Sequence, residues 1–357
     1  MIMATTEPTI TKKPTSDQAL LSRKPRSLWS DARRRLFSST VGRLGMLICA
    51  FLFAVAIITP LVQPLDQTLN RDTANKLQPP SWLMTAEERA DAASKSIDKA
   101  RKDIPWGRFE RPFGTDQLGR DIFIRVLHGA PISLTVGTFA VILAVIFGSL
   151  LGLISGFFGG IIDTIATWLM DILLAFPSIL LAIALTAISN NRESFSYKFS
   201  QQITELPILQ TIFDPPLFNA MLAVAVVEIP IFGRIARAAV LSVRNQEYIH
   251  AAEAVGVSRM RMLMRHILPN SLTPILVQMT LSVASSITSV AALGFLGLGA
   301  QPPRPEWGSM LSTAREYVGT GQWWYALFPG IAIMLTVLGF NLLGDGLRDA
   351  LDPRLKH

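Results

Sequence analysis

Cysteine is almost missing from this sequence. Cys49 stands alone among 357 residues, so a disulfide framework is excluded. Histidine is sparse too: the four, His128, His250, His266 and His357, show no metal-ligand spacing, and no H-E-x-x-H occurs. There is no G-x-x-x-x-G-K-[ST] loop, which excludes nucleotide hydrolysis by that route, and no G-x-S-x-G elbow. The chain is therefore expected to carry no catalytic residue, no metal and no cofactor. Charge is also scarce, at 17% of residues, where soluble domains carry about 25%.

What fills the space is apolar. Hydrophobic residues make up 50% of the chain, and the mean hydropathy is +0.38. They are gathered into runs. A bilayer core takes ~20 apolar residues in a helix, and six stretches qualify, near 44–62, 132–154, 161–188, 217–232, 275–298 and 324–343. Unbroken apolar runs suit helices rather than a barrel. The expected fold class is an all-α membrane protein with six transmembrane helices. The first run comes after a polar leader and is too long for the core of a signal peptide. Pro177 in the third run and Pro230 in the fourth are expected to kink their helices. Cys49 reads as a lipid-facing or packing residue.

Charge placement sets the orientation. Residues 1–43 hold nine Lys/Arg against three acids, and the loop between the fourth and fifth runs holds six Arg against Glu247 and Glu253. The short loops near 190–216 and 301–322 are nearly neutral. Both termini and the Arg-rich loop are therefore expected in the cytoplasm. The net charge of +7 is then explained by the positive-inside rule, and no nucleic-acid partner is expected. The leader to Pro25 reads as polar and mobile. Leu28, Trp29, Leu36 and Phe37 with Arg33–Arg35 read as an interfacial helix. The charged, Ala-rich stretch within 79–111 reads as an exposed periplasmic helix. Trp323 and Trp324 suit the outer interface.

Gly148, Gly152 and Gly156 put a smooth stripe on one helix face, which lets another helix approach closely. Asp171 and Glu228 lie within or near membrane depth, where ionisable residues are expensive and often functional. A plainer reading solvates them at the inner interface or pairs them, for example Glu228 with Arg234. In the segment FGTDQLGRD at 113–121, Asp116 and Arg120 stand i, i+4 and form a natural pair. A locked loop is the favoured reading there, over a cation held by Asp116 and Asp121.

The Arg-rich loop reads as helix, turn, helix. Gly256 is a natural stop for the first helix, and Ser258 is placed to cap the second. Met260, Leu263, Met264 and Ile267 fall on one apolar face. The second helix is expected to end before Pro269. Ala251 and Ala252 leave room for another surface to come close. Such a loop can lie on lipid, pack on its own bundle or dock in a groove of a soluble partner.

These residues resemble the cytoplasmic loop of ABC importer permeases. That loop is marked by an EAA triplet, a glycine and I-x-L-P, matched here by His250-Ala251-Ala252, Gly256 and His266-Ile267-Leu268-Pro269. His250 stands where the family's Glu is usual, and Glu247 or Glu253 is placed to substitute. The stretches at 113–121, 171–178, 295–308 and 341–354 narrow the resemblance to the dipeptide, oligopeptide and nickel importer permeases. Pro131 sits where an Arg is common.

The resemblance implies a type I (MetI-like) permease fold. It implies a leader at 1–43, a first transmembrane helix at 44–62 and a periplasmic segment at 63–131. Next come a permease core at 132–343, with a coupling loop at 233–270, and a cytoplasmic tail at 344–357. It implies a bacterial inner-membrane protein with a second homologous permease subunit, two ABC ATPase subunits and an extracytoplasmic substrate-binding protein as partners. ATP and Mg²⁺ would be bound by the ATPases. The implied ATPase-coupling residues are His250, Ala251, Ala252, Glu253, Gly256, Met260, Leu263, Met264, Ile267, Leu268 and Pro269. Candidate gate or outer-loop residues are Asp116, Arg120, Asp121, Asp171 and Glu228. The expected cargo is a di- or oligopeptide. Alternatives are a nickel chelate or another small solute, a stand-alone secondary transporter, and a scaffold for a membrane complex. A secondary transporter would need paired intramembrane charges and inverted repeats, and no repeat is visible.

Overall fold

The computed structural model describes residues 28–63, 71–95, 111–204 and 214–351. The leader to Pro25, half of the charged stretch, the segment 205–213 and Asp352-Pro353-Arg354 lie outside them. Among the described residues there is no β-strand. Five of the described helices are each long and apolar enough to cross a membrane, and one bent pair makes a sixth when taken as a single span.

Helix α1 (Leu28–Ser38) leads into α2 (Thr40–Val62). Ser39 caps α2 by accepting the Gly42 N–H at 3.3 Å. Cys49 is buried in α2, so it is a packing residue. A periplasm-expected helix, α3 (Ala86–Lys95), opens on a reciprocal cap. Thr85 N–H donates to Glu88 at 2.7 Å, and Glu88 N–H donates to the Thr85 hydroxyl at 3.2 Å, the capping-box pattern.

The second span is longer than its apolar run. Helix α4 covers Ile122–Phe158 and so rises roughly 55 Å, well beyond a bilayer core. Pro131, just ahead of the apolar run, lies inside this helix. The start is set by Asp121, whose carboxylate accepts the Phe123 N–H at 2.9 Å. Pro131 then removes one backbone bond from a helix held by packing along much of its length.

The third span is broken. Helices α5 (Gly160–Ala175) and α6 (Ser178–Ser189) meet at 93°, with Phe176 and Pro177 between them. Pro177 thus does more than kink the helix. Pro230 does less: α8 (Pro215–Arg244) runs through it as one helix. Before α8, the stretch read as a loop holds α7 (Phe195–Thr204), whose first turn is tied down by the Tyr197 N–H donating to Ser194 at 3.1 Å.

Two short helices come next, α9 (Glu247–Ala254) and α10 (Arg259–Met262). A π-turn at Leu263–Ile267 leads into α11 (Leu268–Phe295). Helix α12 (Trp307–Val318) precedes the last span, α13 (Trp324–Leu351). Trp324 is buried, while Trp323 is exposed.

The bundle is organised around α4 and α8. An ideal Cβ on Gly148, Gly152 or Gly156 would stand 2.4, 2.1 or 3.1 Å from the carbonyl oxygens of Ile229, Gly233 and Arg237. The Gly stripe therefore finds its partner helix within the chain. Without a hydrophobic driving force between helices in lipid, this close backbone contact is how the two spans associate.

Candidate functional site

The loop between α8 and α11 is anchored to the bundle. Ile249, Met262 and Ile267 are buried with Val240, and Leu153, Phe157 and Val243 pack around them. Helix α9 ends in a Schellman motif: Gly256 N–H donates to Glu253 O at 2.9 Å, and Val257 N–H donates to Ala252 O at 3.1 Å. Gly256 takes φ +80°, the left-handed conformation that glycine adopts freely.

Three expectations change here. Ser258 sits at the N-cap of α10, but its side chain makes no capping bond. Helix continues past Pro269, which lies in the first turn of α11. A proline ring clashes with the carbonyl four residues back, and the π-turn at Leu263–Ile267 widens the chain there. The expected single apolar face is split as well. Ile267 is buried and Leu263 half-buried, whereas Met260 and Met264 are 63% and 56% exposed. Met262 and Ile267 are five residues apart, out of phase on an α-helix, and the π-turn brings both inward. Ile249 and Met262 are the anchors that sequence reasoning missed.

The outward surface of this loop sets large apolar side chains among charged ones, with Glu247, Arg259, Arg261 and Arg265 exposed. Tyr248, Val255, Met260 and Met264 are all exposed. Ala251 is exposed and Ala252 half-buried, and neither adds bulk between them. His250 and Glu253 are exposed, with Nδ1 and Oε2 3.8 Å apart. Glu253 therefore stands beside the residue that replaces the expected Glu. Leu268 is half-buried.

At the same end of the bundle, acids on α5 clamp α8. Arg237 donates to both oxygens of Asp163, at 2.5 and 2.7 Å, and Ser155 of α4 donates to Asp163 at 2.8 Å. Arg234 donates to Asp171 at 2.8 Å, in an exposed pair. Arg234 thus pairs with Asp171, not with Glu228.

Glu228 lies deeper in α8 and is 7% exposed. Its carboxylate accepts hydrogen bonds from Ser282 at 3.0 Å and Ser285 at 3.2 Å, both on α11. It borders a cavity of about 260 Å³ lined by the broken third span at Leu173, Leu174, Phe176 and Ser178 and by a polar row on α11.

The opposite end is locked. Asp116 accepts Leu118 N–H at 2.8 Å, Arg120 N–H at 2.9 Å and Arg120 Nε at 2.7 Å, with Arg125 Nε at 3.6 Å. Asp121 caps α4. The two carboxylates serve the loop, as the locked-loop reading expects. Sequence reasoning missed Glu306, which is fully buried at the start of α12. It accepts Gly308 N–H at 2.7 Å and Ser309 N–H at 2.8 Å, and the Ser133 hydroxyl at 3.3 Å. Burial pushes its carboxyl up to about 7, and these hydrogen bonds hold it down in part. The only sequence signal was an acid directly before Trp307-Gly308.

Residues 148–357 match the family described as binding-protein-dependent transport system inner membrane component. Residues 27–80 match the N-terminal transmembrane domain of oligopeptide transport permease C. The chain is 43% identical over 330 residues to the dipeptide transport system permease protein DppC of Alkalihalophilus pseudofirmus, covering 92% of this chain and 91% of that protein. It is 39% identical over 347 residues to the di/tripeptide transport system permease protein DppC of Pseudomonas aeruginosa, covering 96% and 97%. It is 44% identical over 243 residues to the glutathione transport system permease protein GsiD of Pectobacterium atrosepticum, covering 68% and 72%.

Proposed function

Since the chain belongs to the inner membrane components of binding-protein-dependent transport systems, we propose that it is one of two permease subunits of an ATP-driven importer of di- and tripeptides. The relatives named for dipeptides and di/tripeptides over nearly the whole chain support this cargo. The relative named for glutathione, itself a tripeptide, fits the same size class. A homologous permease would complete the pathway, two ATPases would bind ATP and Mg²⁺, and an extracytoplasmic protein would deliver the peptide. In this reading both termini and the 233–270 loop face the cytoplasm of a bacterial cell.

The observation that carries the mechanism is the loop's two-sidedness. Its inner side is fixed to α4 and α8 by Ile249, Met262 and Ile267. Its outer side presents Tyr248, Val255, Met260 and Met264 among exposed Glu247, Arg259, Arg261 and Arg265, a mixed surface suited to a groove on a soluble partner. Closure of the ATPase pair on ATP would move this surface. The rigid anchoring would pass that motion to the spans, switching the pathway between inward- and outward-facing states. ATP drives the switch because it binds one state better than the other.

Affinity purification of the tagged chain from native membranes, with mass spectrometry of its companions, tests the assignment. A homologous permease and ATPases with Walker motifs are expected. A chain that emerges alone, stable and able to pass solute in liposomes would instead make it a stand-alone transporter.

A further inference from the structure

Glu228 sits near the middle of α8, roughly 20 Å of helix from its Asp214 cap. Among the described residues no Lys, Arg or His forms an ion pair with it. Its hydrogen-bond partners are the hydroxyls of Ser282 and Ser285. Gln278 continues the network by donating to Ser282 at 3.2 Å. Gln278, Ser282, Ser285 and Ser289 recur at steps of four, three and four along α11, and all four line the cavity with Glu228. A row of hydroxyls alone would suffice to join α8 to α11. A carboxylate at this depth is costly unless a positive charge comes to meet it.

The cavity has the shape for such a visitor. The 93° break between α5 and α6 brings Phe176 and Ser178 to its wall, and both are exposed, so the cavity opens on that side. At about 260 Å³ it lies just below the ~300–1,000 Å³ of sites that hold a whole small ligand. It fits one end of a peptide. The remaining walls, Leu173, Leu174, Val224, Val227 and Ile231, are apolar and offer no charge or hydrogen-bonding group that selects one side chain over another.

We propose that the Glu228 cavity is a transient binding site in the pathway for the α-ammonium group of the transported peptide, with Ser282 and Ser285 orienting the carboxylate. This site rests on the importer reading above. It recognises what all unblocked peptides share, so it would pass many sequences while holding each by its N-terminus.

The test uses the complete importer, with its partner permease, ATPases and binding protein, in proteoliposomes supplied with radiolabelled dialanine. Wild-type uptake that fails to depend on ATP would count against the importer reading itself. Given ATP-driven wild-type uptake, Glu228→Gln is expected to assemble normally. It should keep ATP hydrolysis stimulated by the loaded binding protein and lose at least tenfold in peptide moved per ATP hydrolysed. In an assembled complex, a fall in hydrolysis and uptake together marks a purely structural role and overturns the site. A loss of less than tenfold in peptide moved per ATP by an assembled Glu228→Gln complex overturns the site. If the Gln variant fails to assemble, Glu228→Asp decides: a raised half-saturating peptide concentration supports the site, and an unchanged one overturns it.

Discussion

Gly152 faces Gly233 so closely that a Cβ at residue 152 would stand 2.1 Å from the Gly233 carbonyl oxygen. The contact is backbone on backbone, so no side chain can swing aside to relieve it. Gly152→Ala should therefore push α4 and α8 apart, at about 1–3 kcal/mol for overpacking. Thermal unfolding of the purified complex checks this. Gly330→Ala, where an added Cβ meets nothing within 4 Å, should leave the transition almost unmoved.

Arg237 and Asp163 join α8 to α5 through a two-pronged ion pair that is only partly exposed. Double-mutant cycles on exposed pairs give about 0.2–1 kcal/mol, and the forked geometry places this one near the upper end. A cycle built on Asp163→Asn and Arg237→Gln should return a coupling of about 1 kcal/mol in complex stability. The exposed Arg234–Asp171 pair should return less. Equal coupling from both pairs would count against the clamp at Asp163.

Gly256 should separate hydrolysis from transport. A Cβ there meets nothing within 4 Å, so Gly256→Ala carries only the backbone penalty of φ +80°, about 1–2 kcal/mol, and Gly256→Asn less. Gly256→Pro cannot adopt that φ and loses the N–H that donates to Glu253 O. The Pro variant is expected to reach the membrane in a complete complex and hydrolyse ATP with little peptide uptake. Normal uptake by that variant would remove the loop's coupling role.

Glu306 gives the protein a pH dependence. Its folded value of about 7 lies above the ordinary 4.5, so the folded state holds its proton more tightly than the unfolded chain. The resulting stabilisation is complete below about pH 4.5 and is lost as pH rises through about 7, on the order of a few kcal/mol. Glu306→Gln should flatten the stability profile between those values. A wild-type profile that rises across this window would contradict the assignment.

The sequence shows the spans, because bilayer thickness dictates a length of apolar chain that few other structures need. It shows the Asp116–Arg120 lock and the Gly256 stop, because both are local. Helix ends were less legible. Helices α4 and α8 run past their apolar runs, extended by polar residues whose partners are tertiary: Arg237 continues α8 because Asp163 waits on α5. The π-turn was hidden because it shows only as Met262 and Ile267, five residues apart, both turning inward. Glu228 was visible as a charge at depth, but its serine partners lie more than fifty residues away, and only the fold brings them together.

The central claim is that this chain forms half of a peptide pathway driven by ATPases through the 233–270 loop. Dipeptide accumulation in proteoliposomes holding the purified complex tests it most directly. Uptake should require ATP, the binding protein and this subunit together, and should collapse in Gly256→Pro while hydrolysis persists. Dipeptide flux through this chain alone, without ATP or ATPases, would contradict the account.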